Sequence, residues 1–194
     1  MPLLSAQAIK DEIGAGRLVI DPTPAAADYD SDSVDVHLGD AVYVWKSPAG
    51  QATLTIPLWR SLESKAPFVY KDFARENLKK VDPDPDGIIT LRPRTFYLAD
   101  LKQYTKLPTD IAMHIEGKSS LARLGVCVHI TAPHAHAGWS GWLTLEILNS
   151  GPFNIELKPG VPIGQLYFWR VEKPLEESDI PVQQFSNQTT ARGS

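Results

Sequence analysis

Prolines limit what this chain can fold into more than any other residue type. Sixteen are scattered through its 194 residues. A proline has no amide donor and clashes with the preceding helical turn, so it excludes long helices and uninterrupted central strands. Between the prolines stand short apolar runs at 34–38, 42–45, 52–58, 88–91, 96–98, 126–130, 143–148 and 162–169, bounded by Gly, Pro, Asp and Asn. Strands of that length and spacing predict a mainly β fold, an antiparallel barrel or sandwich. One short helix is expected ahead of it: Ser5 suits an N-cap, Ile9 and Ile13 share a face, and Gly14 and Gly16 end it. Residues 61–80 are richer in charge and predict a short helix or an excursion from the sheet. A chain of this length buries roughly 70% of its unfolded surface as one unit, so 1–194 is expected to form a single domain.

Charge and cysteine content narrow the classes of function. Nineteen basic and 23 acidic residues give a formal charge of −4, which provides no global attraction to nucleic acid or an anionic membrane. Any phosphate site must therefore be local. The single cysteine, Cys127, excludes an internal disulfide and a multi-cysteine metal site, and between Val126 and Val128 it is expected to be a buried apolar thiol. The first residues lack a basic stretch followed by an apolar one, and no run approaches the ~18 apolar residues of a membrane span. A soluble, cytoplasmic protein is expected.

The chemistry concentrates in one stretch. Gly117-Lys118-Ser119-Ser120-Leu121-Ala122-Arg123-Leu124-Gly125 combines hydroxyls, fixed positive charge and flexible backbone, a set that suits an anion such as a phosphate chain. A polar turn opening a helix is the plainer reading of the serine pair, but a helix start would itself favour an anion. Downstream, Glu146 interrupts the apolar run 143–148. It suits proton transfer if it faces a site, and is an ordinary edge-strand residue if it faces water.

Other candidates fail on spacing. Asp82-Pro83-Asp84-Pro85-Asp86-Gly87 imitates the start of a calcium loop, but Pro93 stands where the bidentate glutamate belongs. His134 and His136 would share one face of an extended segment, as metal ligands do, yet the next glutamate, Glu146, lies too far along for a cupin set. One cysteine cannot build the zinc site of a nucleobase deaminase. No G-x-S-x-G elbow supports a serine hydrolase.

With the segments Val128-His129-Ile130-Thr131-Ala132, Gly138-Trp139-Ser140-Gly141, Leu145-Glu146, Asn149-Ser150-Gly151, Lys158-Pro159-Gly160 and Ile163-Gly164, the 117–125 stretch closely resembles dCTP deaminase, a family of the dUTPase-like trimeric superfamily. The resemblance implies a distorted β jelly roll, assembled as a homotrimer with active sites at subunit interfaces. It implies conversion of dCTP to dUTP and ammonia, with magnesium carried by the triphosphate, no zinc, no metal held by side chains, and dTTP as a possible feedback inhibitor. By match of motif, Glu146 falls on the catalytic glutamate, while Ser119 and Arg123 fall on residues that organise the reacting water and pyrimidine. Lys118 and Ser120 fall on the phosphate loop with Ser119. The main-chain segment 131–138 is expected to read the pyrimidine edge, with Thr131, Ala132 and Trp139 among the substrate-binding residues. Gln188 falls on a triphosphate contact in a C-terminal tail, 184–194, that folds over the nucleotide.

Two positions depart from the pattern or qualify it. Most dCTP deaminases carry an aspartate three residues before the tryptophan, at the deoxyribose; here His136 occupies that place. Gln165 is a glutamine common in dUTPases and in bifunctional deaminase-dUTPases. The alternatives to a simple deaminase are therefore a bifunctional enzyme releasing dUMP and a catalytically silent nucleotide-binding homologue.

Overall fold

The computed structural model describes residues 2–46, 53–56, 69–181 and 185–190. Among them run eleven strands: β1 (Val19–Asp21), β2 (Val34–Trp45), β3 (Leu78–Lys80), β4 (Ile89–Leu91), β5 (Thr95–Lys106), β6 (Ile111–Gly117), β7 (Val126–Cys127), β8 (His134–Ala135), β9 (Ser140–Asn149), β10 (Ile155–Leu157) and β11 (Pro162–Arg170). Three α-helices accompany them, α1 (Ala6–Gly14), α2 (Tyr70–Asn77) and the single turn α3 (Ser119–Ala122), with two short 3-10 turns at Ala26–Asp28 and Glu177–Asp179. Nine strands form one sheet in the order β7-β9-β5-β2-β11-β6-β8, with β1 added on β5 and β3 on β2. β4 and β10 pair separately. The larger sheet curls into a half-barrel, and its ladder shifts register between Leu38 and Val42 and between Asp100 and Tyr104. Such irregularities bend a strand and sharpen its twist.

Alternation decides which face is inside. Val34, Val36 and Leu38 of β2, Leu145 and Ile147 of β9, and Leu166 and Phe168 of β11 are fully buried. Each such side chain contributes about 1.5–3 kcal/mol on leaving water. The same alternation turns Thr144 and Glu146 to the opposite face, where α2 and the C-terminal segment lie. α1 begins as expected, with the Ser5 hydroxyl accepting from the Ala8 amide, and drives Ile9 into the core. It is tied down by charge: Glu12 and Asp110 each receive both Arg17 and Arg170 at 2.6–2.8 Å. Burial alone would raise the two carboxyls, but the arginine hydrogen bonds and charge hold both below their usual range.

The structure corrects several expected elements. The strand expected at 96–98 extends to Lys106, and β6 was absent from the expected set, because polar residues on both strands break the apolar pattern. One of them, Gln103, is buried since its amide is satisfied by the backbone amide and ring of His37. The strand expected at 126–130 stops at Cys127, after which the chain leaves the ladder to wall a cleft. Cys127 is exposed: on the two-residue edge strand β7, alternation buries Val126 and turns the thiol out. The run 52–58 is not a strand over 53–56, and its remainder lies outside the described residues. Within 61–80 the structure describes a helix followed by β3 from residue 69 onward, and the earlier part lies outside the described residues. No helix among the described residues is long and apolar enough to cross a membrane.

Candidate active site

A cleft of about 560 Å³ opens beside β9 and β5, with Glu146 in its wall. The full burial of Leu145 and Ile147 forces Glu146 onto this face, opposite Leu98 of β5. After β7, the irregular backbone carries His129, Ala132 and His136 to the same cleft, and Trp139 closes its base, 5% exposed. The ring nitrogens of His129 lie buried without a hydrogen-bond partner among the described residues. His129 stands inside the segment 128–132, where nothing in the residue pattern marks it as part of a cleft wall.

The C-terminal segment 185–190 docks on the free edge of β9. The Asn187 amide donates to the Ser140 carbonyl and the Trp142 amide to the Gln188 carbonyl. The Gln188 side-chain amide donates to the Trp142 carbonyl at 2.8 Å and to the Thr144 hydroxyl at 3.3 Å. Gln188 thus lines the Glu146 cleft, with its side-chain amide engaged by the edge of β9.

The expected phosphate residues form a second group. Lys118 ion-pairs with Asp35 at 2.5 Å, and the Gln165 amide donates to the other oxygen of the same carboxylate at 3.1 Å. Gln165 and Asp35 are cross-strand partners on β11 and β2. Ser119, Ser120 and Arg123 follow on α3 and its cap, all exposed. A macrodipole sums aligned peptides, so this four-residue turn supplies little dipole of its own. The turn is fixed by glycines. Gly125 sits at φ +87°, and a Cβ there would lie 2.5 Å from the Gly151 amide nitrogen. Asn149, fully buried, donates to the carbonyls of Leu91 and Phe153 and accepts from the Gly151 amide. Ser150 bonds the Gly125 carbonyl. The Asn149-Ser150-Gly151 motif is therefore the brace of the arginine-bearing loop.

Within one chain the expected site residues separate. Glu146, Ala132, His136, Trp139 and Gln188 share the cleft, whereas Lys118, Ser119, Ser120, Arg123, Gln165 and the exposed Thr131 do not line it.

His136 belongs to a row the sequence half revealed. Its ring meets His134 edge-on at 4.7 Å, and His134 meets His114 of β6 at 4.8 Å. His114 is the direct cross-strand partner of His134. Burial, then the neighbouring His136 and His114, lower the pKa of His134. Among the described residues no group of three or more His, Cys, Asp or Glu side chains is placed to hold a metal ion.

A family model described as dCTP deaminase-like matches residues 3–171. A Methanobrevibacter smithii protein named "dCTP deaminase, dUMP-forming" is 32% identical over 180 residues, covering 91% of this chain and 84% of its own. A Shewanella amazonensis protein named "dCTP deaminase" is 34% identical over 167 residues, covering 86% and 82%. The crystal structure of 2'-deoxycytidine 5'-triphosphate deaminase from Agrobacterium tumefaciens superposes with a TM-score of 0.64 at 22% identity, over 88% of this chain and 48% of that one, a likeness of fold. Since the match runs continuously from the strand bearing Asp35 through the Lys118 loop to Glu146 and β11, this chain belongs to the dCTP deaminase-like family.

Proposed function

We propose that this protein hydrolyses the 4-amino group of dCTP, with Glu146 carrying the proton. The observation behind this reading is the placement of Glu146. Among the described residues it is the one carboxylate lining a nucleotide-sized cleft, which aromatic and imidazole rings and Ala132 also line. Water adds to C4 as Glu146 takes one of its protons and passes it to N3. As the tetrahedral carbon collapses, Glu146 takes the second proton from the new C4 hydroxyl and hands it to the amine, which leaves as ammonia, so one carboxylate serves every step. His136 faces the sugar, where an imidazole ring nitrogen can hydrogen-bond a hydroxyl.

The separation of the two residue groups supports a site completed between copies of the chain. Lys118, Ser119, Ser120 and Arg123 of one subunit would meet the Glu146 cleft of another, in a homotrimer. At the phosphate end, Asp35 is already engaged by Lys118 and Gln165. Magnesium therefore fits best as an ion carried by the triphosphate, where it screens charge, and the side chains there act on the phosphate oxygens. The dUMP-forming name recurs among similar relatives, and favours dUMP over the dUTP expected first from sequence, despite the change to His136. Chromatography of products from dCTP and Mg²⁺ tests this: dUMP supports the two-step reading, dUTP the simple deaminase, and recovered dCTP refutes both.

A further inference from the structure

α2 places a residue in the Glu146 cleft that no motif marks. Tyr70 lines it, and its ring meets Trp45 of β2 edge-on at 6.4 Å and Phe185 of the C-terminal segment edge-on at 5.7 Å. The tyrosine thus bridges the sheet and the docked tail across the cleft. Beneath it lies the β5–β9 ladder, in which Leu98 pairs with Glu146 and Asp100 with Thr144. Glu146 and Asp100 are therefore diagonal neighbours on one face, a relation that puts Cα positions about 7–8 Å apart. Burial raises the pKa of the phenol, and the charges of Glu146 and Asp100 raise it further. Near neutral pH it is held as a hydrogen-bond donor.

We propose that Tyr70 is a positioning residue for Glu146. In the nucleotide complex its phenol donates to the carboxylate and aims it at C4, and its ring contact with Phe185 makes that alignment depend on the docked tail. The idea rests on Glu146 as the proton carrier. A donor bonded to a carboxylate favours its charged form and lowers its pKa, which generates a signature that a packing role would lack.

Tyr70→Phe keeps the ring and removes only the donor. The expected result is a fall in kcat of about tenfold, KM within about twofold, and an acid limb of the kcat–pH profile displaced to higher pH. Phe185→Leu, which leaves the phenol in place, should raise KM and displace the same limb in the same direction. Tyr70→Phe with unchanged kcat and an unmoved limb overturns the proposal, as does a loss confined to KM. If Tyr70→Phe fails to fold by circular dichroism, the limb in Phe185→Leu decides, an unmoved limb again overturning it. A dead Glu146→Gln beside a fully active Tyr70→Phe would sink this inference alone. An active Glu146→Gln would sink the reading of Glu146 together with it.

Discussion

Asn149→Ala tests whether the loop bearing Arg123 is braced as the structure indicates. The side chain is fully buried and makes three hydrogen bonds, at 2.9 Å to Leu91, 2.8 Å to Phe153 and 3.1 Å from the Gly151 amide. Each such bond is worth about 1 kcal/mol net, and alanine leaves two carbonyls and an amide with fewer partners in a dry site, so the loss is about 3 kcal/mol. With a urea m-value of roughly 2 kcal/mol/M, the midpoint should fall by about 1.5 M with m unchanged. Wild type and variant must be compared at one protein concentration, because assembly shifts apparent stability. Gly151 packs against Leu124 and Gly125, so the variant should also lose turnover through a displaced Arg123. A midpoint shift below about 0.5 M, or full activity, would refute the bracing argument.

Acid should weaken the anchoring of α1. Glu12 and Asp110 have folded pKa values below the ordinary 4.5 and 3.8, so their contribution is complete above those values and is lost as pH falls through the lower folded ones. Melting temperatures of wild type should drop steeply below about pH 4.5, and Arg170→Met should start lower at pH 7 and show a shallower drop. A lowered His134 pKa means the opposite charge change with the same sense: its stability contribution is whole above 6.5 and declines as pH falls below it. Imidazole NMR should report a midpoint for His134 below 6.5 that moves upward in His114→Phe. Mixing Arg123→Ala with Glu146→Gln, each inactive alone, should restore part of the activity if the site is shared between subunits, and none if it is not.

Most strands on the inner face were legible because their apolar alternation is local: 34–38, 143–148 and 162–169 all lie within observed strands. β6 and the far half of β5 were not, since His114, Glu116, Lys102 and Gln103 break that alternation and are accommodated only by cross-strand partners. Cys127 was misread because burial was inferred from its neighbours, while a two-residue edge strand exposes every second side chain. The catalytic candidate was recognisable from a carboxylate inside an apolar run. Tyr70 was not legible because it reaches the cleft only through α2 packing, nor was the contact of His114 with His134, which needs the β6–β8 register. Conversely, motif residues such as Asn149 and Gly151 carried an active-site signal for a structural reason.

The most direct measurement is ammonia release from dCTP by wild type and by Glu146→Gln at matched fold and assembly. The structure and its proposed chemistry predict one ammonia per nucleotide consumed by wild type, and a loss of at least about a hundredfold in the variant. Equal release by the two proteins would contradict the assignment of Glu146, and with it the mechanism built on that cleft.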